Sequence, residues 1–238
     1  MAQKVVSMAS RPSRSRGAGG GRNRRRTTAP NVLQALRERI VRQEIAPGSK
    51  LRENELAQEF GVPRTRIREA FSVLEQRELI ERIPNRGAVV ARLDLSQVFH
   101  IYDVREVLEG LCARLATQNV APESWQDLLD LFSGPMKKSV EKNDFDAFLA
   151  GYASFRQRLA TAADNPVLTQ MLDSIYEKTQ ALIRRIIILP GRAEIGLREH
   201  RAVLEAMRKG DAEAAEQLRR ANMRSAKEYL RQFQKYVL

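Results

Sequence analysis

Arginines recur at every second position in one short segment of the chain: Arg64, Arg66 and Arg68, with Thr65 between the first two. A guanidinium group is planar and rich in N–H donors, so it can pair with a guanine edge or with phosphate oxygens. The neighbouring apolar residues fall on one arc of a helix at about 100° per residue, namely Ile67, Ala70, Phe71 and Leu74. A helix anchored by this arc holds the arginines outward near its N-terminus, where they suit the major groove of DNA.

Glu69 shares the outward face with the arginines, and DNA phosphates would repel its carboxylate. Two arrangements would resolve this conflict. Glu69 can pair with a neighbouring arginine, or it can accept a hydrogen bond from a cytosine amino group. We favour the arginine pair.

Two helices and a hairpin are predicted around this segment. Ala46-Pro47-Gly48 ends a first helix, and Gly61 ends a second at a tight turn. Apolar residues flank Pro84–Gly87 as they would in a hairpin, so Arg86 and Gly87 are expected at its tip, within reach of phosphate or the minor groove. Residues 31–92 are therefore predicted to form a winged helix-turn-helix with a small β-hairpin wing.

This segment resembles the winged-helix domain of the GntR family of bacterial transcription regulators. The matching positions are Pro47-Gly48, Leu51, Glu55-Leu56-Ala57, Gly61-Val62, Arg64-Thr65, Arg68-Glu69-Ala70, Leu74 and Asn85-Arg86-Gly87. The resemblance implies that Arg64, Thr65, Arg66 and Arg68 read an operator and that Gly87 lies at the wing. The chain departs from the family pattern at Pro63, where a capping Ser or Thr is usual, and at Arg66, where Pro is common.

The formal net charge of +12 is concentrated at the N-terminus, because residues 1–30 hold eight basic side chains and no acidic one. Their Gly, Ser and Arg content without apolar periodicity predicts a disordered basic tail. Three interpretations of this tail stay open: an arm that grips DNA, a solvated run of charge, or a misassigned start codon. The single cysteine, Cys112, cannot form an intramolecular disulfide, and no apolar run is long enough for a membrane span. We expect a cytoplasmic protein.

Residues 93–238 carry helix signals throughout and no strand alternation. Asp94 is expected to cap a helix that runs to about Gln118, and Pro122 to open the next. Further boundaries are predicted at Asn143-Asp144, Asp164-Asn165-Pro166, Pro190-Gly191 and Gly210-Asp211. The prediction is an all-helical bundle of six to seven helices, which makes the whole protein mostly α.

Polar residues interrupt the apolar stripes of four predicted helices: Arg105, Tyr152, Arg156, His200 and Asn222. An unpaired buried charge costs several kcal/mol, so inward arginines predict anions or water opposite them. A cavity for a small anionic molecule follows most simply. Two alternatives stay open, an ion pair of Arg105 with Glu109 one turn on, and a hydrogen-bonded core role for His200.

This half resembles the all-helical effector domain, called FCD, of the FadR subfamily. The marks are Val104-Arg105-Glu106 with Glu109, Phe155, Asn165-Pro166, Glu199-His200-Arg201 and Gly210-Asp211 with Ala214. Many members bind a divalent metal through an Asp and a His one turn apart and two later histidines. The corresponding positions here are Tyr152, Arg156, His200 and Asn222, so the resemblance implies a degenerate metal site and no cofactor. We predict that Arg156 replaces the metal and holds a carboxylate or phosphate with Arg105 and His200.

These features together favour a ligand-responsive regulator that binds a palindromic operator as a homodimer, with a small anionic metabolite, an organic or sugar acid, as effector. The broadly apolar helix from Leu95 to Ala116 offers a surface to a second copy. A non-specific DNA- or RNA-binding protein of the nucleoid type is the alternative. An enzyme is disfavoured, because no nucleophile–base pair, phosphate loop or metal cluster is visible.

Overall fold

The computed structural model describes residues 31–92 and 94–237. These residues form ten α-helices, one 3₁₀ turn and one two-stranded antiparallel sheet, so the predicted mostly helical class is confirmed. The prediction of a disordered tail concerns residues 1–30, which lie outside the described residues. Within the described part, none of the helices has both the length and the apolar character needed to cross a membrane.

The N-terminal domain consists of α1 (Val32–Val41), α2 (Glu53–Phe60), α3 (Arg64–Gln76), β1 (Ile80–Ile83) and β2 (Gly87–Val90). Gly61 ends α2 with a φ of 64°, which a residue without a side chain adopts at little cost, and the chain turns directly into α3. Packing of the inward faces of the three helices against the hairpin forms one small core, which contains Leu36, Leu56, Ile67, Phe71, Leu74 and Ile80.

The hairpin pairs Ile80 with Val90 and Ile83 with Gly87. Its tip depends on two residues with positive φ, Asn85 at 61° and Gly87 at 85°. Asparagine and glycine tolerate this left-handed region better than other residues, which explains the Asn-Arg-Gly sequence of the turn. The predicted wing is therefore present, with Arg86 exposed at its end.

The C-terminal domain contains α4 (Leu95–Asn119), a 3₁₀ turn (Pro122–Trp125), and six further helices. These are α5 (Gln126–Ser133), α6 (Pro135–Glu141), α7 (Phe145–Ala163), α8 (Pro166–Ile187), α9 (Arg192–Arg208) and α10 (Ala212–Val237). The side chain of Asp94 accepts from the backbone of Gln97 in a capping box, as the sequence predicts. The helix expected after Pro122 is split at Gly134-Pro135, because proline has no N–H for the preceding turn.

Helix α4 lies at the centre of the C-terminal domain and packs against α7, α8, α9 and α10. The core around it is rich in aromatic side chains, of which Trp125, Phe132, Phe148 and Phe155 are fully buried. Each of these five helices turns at least one polar side chain inward. The bundle therefore brings together groups that lie up to about a hundred residues apart in the sequence.

Helix α8 joins the two domains through polar contacts. The Glu177 carboxylate lies 2.8 Å from Arg37 of α1 and 3.1 Å from Arg77, which follows α3. Lys178 Nζ lies 2.7 Å from Glu78, and Arg185 donates to the side-chain oxygen of Gln43 at 3.2 Å. The N-terminal domain thus rests on one face of α8, with a cavity of about 260 Å³ at the junction.

Candidate functional site

The N-terminal half of α3 presents an arginine-rich outer face. Arg64, Thr65, Arg66 and Arg68 are all exposed, while Ile67 between them is fully buried. Arg66 Nη1 lies 3.2 Å from Glu69 Oε2, so the arginine pair that we favoured for this acid is present. Pro63 precedes the helix in an extended conformation and provides no side-chain cap. The helix nevertheless begins at Arg64, and its buried apolar face packs into the core of the domain.

Glu53 forms ion pairs with two of these arginines, and its role was not predicted from the sequence. Its Oε2 atom lies 2.9 Å from Arg64 Nη2 and 2.8 Å from Arg68 Nε. The hydrogen bond from Arg64 is the main cause that lowers the pKa of Glu53, and Arg68 adds to it. The carboxylate comes from the first turn of α2 and keeps both guanidinium groups beside each other on the protein surface. No regular helical spacing links positions this far apart, so only the crossing of α2 and α3 reveals the contact.

The second set of arginines lies inside the C-terminal domain around a single carboxylate. Glu109 of α4 is buried, with Oε1 2.7 Å from Arg105 Nη2 and Oε2 paired with Arg219 Nη2. The ion pair of Arg105 with Glu109, one of the two alternatives that the sequence left open, is present. Arg219 of α10 was not identified from the sequence, although it lies three positions before Asn222 and so on the same helix face.

The charge around Glu109 is unbalanced. We call Glu109 and the arginines around it the buried polar centre. Burial by itself would raise the pKa of Glu109, but Arg219, Arg105 and Arg156 together outweigh it and lower the pKa to about 2. Glu109 is therefore ionised at neutral pH, and three guanidinium groups surround one negative charge. Such an excess of positive charge in a poorly solvated region favours an added anion.

His200 lies among three aromatic rings beside this centre. Its ring is stacked on Phe132 and meets the edges of Tyr152 and Phe155, with centroids 5.0–5.6 Å apart. The Nδ1 atom lies 2.5 Å from the carbonyl oxygen of Gly196, and Nε2 lies 3.1 Å from Arg219 Nη1. A carbonyl can only accept, so Nδ1 carries the proton and Nε2 accepts from Arg219. Burial is the main cause that lowers the pKa of His200 to about 3, and the charge of Arg219 adds to it.

The five predicted ligand residues divide between two cavities. Arg105, Tyr152, His200 and Asn222 line a small cavity of about 30 Å³, which has room for a water molecule or two. Arg156 instead lines an open cavity of about 1080 Å³, together with Glu109 and Arg219. Tyr152 connects the two groups, because its hydroxyl lies 3.3 Å from Arg105 Nη2 and its ring lies 5.9 Å from the Arg156 guanidinium. Of these two cavities, the large one has room for a metabolite.

Arg156 is the arginine best placed to meet a molecule in the large cavity. Its guanidinium lies over the ring of Tyr176, and its Nε atom has no hydrogen-bond partner. Arg105 and Arg219 differ from it, since their guanidinium groups already contact Glu109 and the hydroxyl of Tyr152. Among the described residues, no carboxylate forms an ion pair with Arg156. Its N–H groups are therefore available to an anion in the cavity.

The residues at the family's metal positions do not fit a divalent cation. Tyr152, Arg156, His200 and Asn222 include only one imidazole, whose Nε2 lone pair faces the positively charged Arg219. Zinc sites are usually built from several Cys, His or acidic ligands. Within residues 31–92 and 94–237, no group of three or more His, Cys, Asp or Glu side chains converges as a metal site would require. The absence of a cofactor stays a prediction.

The large cavity also reaches the N-terminal domain. Gln76 and Arg77, at the end of the arginine-bearing helix, line it together with Glu177 of α8. Glu177 is thus both a wall of the cavity and the acid that pairs with Arg37 and Arg77. A molecule bound beside Arg156 would share a surface with the contacts that orient the N-terminal domain.

His200 makes the stability of the protein depend on pH. Its pKa is about 3 in the folded chain and about 6.5 in an unfolded chain, so the unfolded state takes up the proton first as the pH falls. The stability that comes from this difference is complete above pH 6.5 and declines as the pH falls towards 3. Between pH 7 and pH 5 we expect the free energy of unfolding to fall by about 2 kcal/mol from this group.

Urea unfolding at pH 7, 6 and 5 checks this expectation. His200→Gln keeps an acceptor for Arg219 but cannot titrate. Its free energy of unfolding should therefore fall much less between pH 7 and pH 5. His100→Gln is the matched control, because His100 is exposed on α4, and it should behave as the wild type does. An unchanged decline in His200→Gln would show that His200 is not the titrating group.

Comparisons with known proteins agree with both domains. Residues 28–90 match the model of the bacterial regulatory proteins of the gntR family, and residues 100–225 match that of the FCD domain. The HTH-type transcriptional repressor RspR of Escherichia coli K12 is 29% identical over 205 residues, which cover 84% of this chain and 88% of that protein. The gluconate operon transcriptional repressor of Bacillus licheniformis is 33% identical over 172 residues, which cover 72% and 68%.

Solved structures show the same fold. The E. coli protein McbR/YncC superposes with a TM-score of 0.68 at 21% identity, over 86% of this chain and 96% of that one. Proteins of this family with the FCD domain regulate transcription and are not enzymes, as expected for this chain. The chain belongs to the GntR family of bacterial transcription regulators, with a winged-helix DNA-binding domain followed by an FCD domain.

Proposed function

We propose that this protein is a ligand-responsive regulator that binds a palindromic operator as a homodimer in the cytoplasm and responds to a small anionic metabolite. The observation that supports the ligand class is the position of Arg156 at the wall of a cavity of about 1080 Å³, where it adds a third guanidinium group to the two that already pair with Glu109. A cavity of this size is typical of metabolite and cofactor sites. An anion beside Arg156 would pair with a guanidinium group that forms no ion pair with the described carboxylates.

The chemical class of the effector is supported by a relative. One similar protein is named as a gluconate operon repressor, and gluconate is a small organic acid of the kind that an arginine can hold through two parallel hydrogen bonds. We propose an organic or sugar acid, with its carboxylate at Arg156. Arg105, Tyr152, His200 and Asn222 would lie behind this position, where they would support the wall of the cavity and present the hydroxyl of Tyr152 to the ligand.

Operator recognition is proposed for the exposed face of α3. Arg64, Thr65, Arg66 and Arg68 would enter the major groove, and Arg86 with Gly87 at the wing tip would approach phosphate or the minor groove. Glu53 supports this assignment, because it pre-orients two of the arginines without burying them. DNA phosphates can replace its carboxylate as their partner when the protein binds.

A homodimer is supported by the outer face of α4. Val104 and Val107 are half-exposed there, and they continue an apolar stripe with the partly buried Leu108 and Leu111. Burying such a stripe against its copy would stabilise a two-fold dimer, and a two-fold dimer matches the two half-sites of a palindrome. Each copy would then present one α3 to the DNA.

Communication between the two sites is proposed to pass through Glu177. An anion near Arg156 would lie in the cavity that Glu177 and Arg77 also line, and it would compete with Glu177 for positive partners. Weakening the pairs with Arg37 and Arg77 changes which placement of the N-terminal domain is favoured. Operator affinity then shifts by the difference in ligand affinity between the placements.

Operator recognition can be tested with DNA selected from a random pool by the wild-type protein. Arg68→Ala is expected to weaken binding to this site by about 1–3 kcal/mol, measured by fluorescence anisotropy at fixed salt. Arg39→Ala is the matched control, since Arg39 pairs with Glu59 on the surface outside α3 and the wing. An equal loss on scrambled DNA would show that Arg68 contacts only phosphate. If the wild type bound both DNAs equally, the non-specific alternative would be favoured.

The effector site can be tested by thermal shift with gluconate, other sugar acids, simple organic acids and acyl-CoA compounds. A ligand at one hundred times its Kd stabilises the folded state by about 2.7 kcal/mol. Arg156→Gln should lose this stabilisation. Arg158→Gln should keep it, because Arg158 lies on the same helix but is exposed and donates to the carbonyl of Ser124. Retained stabilisation in Arg156→Gln would contradict the assignment.

The role of Glu177 can be tested by operator binding with and without the effector found in that screen. Glu177→Gln removes the charge that pairs with Arg37 and Arg77, so the ratio of the two operator affinities should move towards one. Glu205→Gln, whose acid pairs with Arg201 within α9, should keep the wild-type ratio. A full effector response in Glu177→Gln would rule out this route of communication.

A further inference from the structure

Arg219 occupies the middle of the buried polar centre and contacts four other helix-borne side chains. Its Nη1 atom lies 3.1 Å from His200 Nε2 and donates to Asn222 Oδ1 at 2.6 Å. Its Nη2 atom pairs with Glu109 and lies 3.4 Å from the hydroxyl of Tyr152. The side chain is 1% exposed. A carboxylate, an imidazole, an amide oxygen and a phenol oxygen thus converge on one fixed cation.

The partners of Arg219 come from different elements. Glu109 projects from α4, Tyr152 from α7, His200 from α9 and Asn222 from α10 itself. A bound metal ion joins helices in the same manner, by drawing electron-pair donors from several of them to one point. Here the positive charge is attached covalently to α10, so it is present whenever the chain is folded and needs no ion from solution.

The environment of Asn222 and His200 is arranged for a guanidinium. Asn222 turns its oxygen to Arg219 and its nitrogen to Glu199 Oε2, at 2.5 Å. The Nδ1–H of His200 donates to the carbonyl oxygen of Gly196, and the Nε2 lone pair accepts from Arg219. A metal bound by Nε2 at about 2.0–2.1 Å would lie against the guanidinium and be repelled by it.

We propose that Arg219 is the built-in cation of this site and takes the place of the divalent metal found in related effector domains. From the sequence alone, Arg156 was predicted to take this place. Arg156 contacts Tyr176 and faces the large cavity, whereas Arg219 contacts three of the four family metal positions, Tyr152, His200 and Asn222. The inference deepens the proposed function, since it leaves Arg156 as the arginine that is available to the effector.

The first test measures metal content and histidine resonances and needs no effector. The full chain is purified without chelator and analysed for zinc and nickel, and ¹⁵N-histidine-labelled protein is then titrated with ZnCl₂. We expect far less than one metal ion per chain, no shift of the His200 Nε2 resonance, and the same Tm with and without EDTA. One equivalent of metal, or a stoichiometric shift of that resonance, would overturn the proposal.

The second test asks whether Arg219 is what excludes the metal. Asn222→His supplies a second imidazole beside His200 and Glu109, a set of ligands that suits zinc. With Arg219 in place, this variant should still bind zinc weakly, and zinc should leave its Tm unchanged. Adding Arg219→Ala should produce stoichiometric zinc binding and a zinc-dependent rise in Tm. Arg220→Ala, which removes the adjacent arginine that pairs with Glu216, replaces Arg219→Ala in the matched control.

The outcomes of this comparison are distinct. Stoichiometric zinc binding by Asn222→His alone would show that the guanidinium does not exclude a metal, and the proposal would fail. If the variant with Arg219→Ala does not fold, Arg219→Gln takes its place in the same Asn222→His background, because the amide keeps a hydrogen-bond donor for Glu109 without the positive charge. Failure to find any anionic effector would leave both tests unaffected, so the proposed function and this inference can fail separately.

Discussion

The compensation of charge around Glu109 is the constraint on which the C-terminal domain depends. A carboxylate buried in a poorly solvated interior is tolerated only where cations and hydrogen-bond donors surround it. Arg105 supplies one cation from the same helix and Arg219 supplies another from α10. Because each arginine also reaches Tyr152 of α7, the position of one acid determines how three helices meet. Removing Glu109 would leave two buried guanidinium groups without their carboxylate, so these residues are best regarded as one unit.

Both proposed sites contain arginines that a carboxylate holds in place, but the two carboxylates differ in exposure. The side chain of Glu53 is 26% exposed and that of Glu109 only 3%. Water and phosphate can therefore compete for the arginines beside Glu53, whereas the pairs of Glu109 are sheltered. This difference suits the first set to an exchange of partners with DNA and the second to a permanent framework. Arg156, at the edge of that framework, combines the same charge with access to a cavity.

The placement of α8 relates the two proposed sites to each other. One side of this helix carries Tyr176 under the Arg156 guanidinium, and the next residue, Glu177, pairs with Arg37 and Arg77 of the N-terminal domain. A displacement of α8 would therefore change the contact of Tyr176 with Arg156 and the ion pairs of Glu177 with the N-terminal domain. The ion pairs and the hydrogen bond that α8 makes with the N-terminal domain can exchange partners at lower cost than a packed core can rearrange.

Local features of the chain could be predicted because they depend on neighbours in the sequence. Apolar spacing predicted the anchored face of α3, Asp94 and Asn165 predicted helix starts, and the Asn85-Arg86-Gly87 turn predicted the wing. The pairing of Arg105 with Glu109 was also visible, because four positions are one helical turn. Four of the five polar residues within the apolar stripes are buried as expected and the fifth, Arg156, is half-buried, since helical periodicity determines the face on which a side chain lies.

Tertiary structure alone decided which inward groups meet. Arg219 and Glu109 are 110 positions apart, and Arg77 and Glu177 are 100 apart. Periodicity gives the face of each helix but neither its neighbour nor the depth at which two side chains face each other. The sequence therefore determined that guanidinium groups would lie on the surface of α3 and in the interior of the bundle. Only the packing of α4, α7, α9 and α10 decided that Arg219 fills the centre and that Arg156 is left facing the cavity.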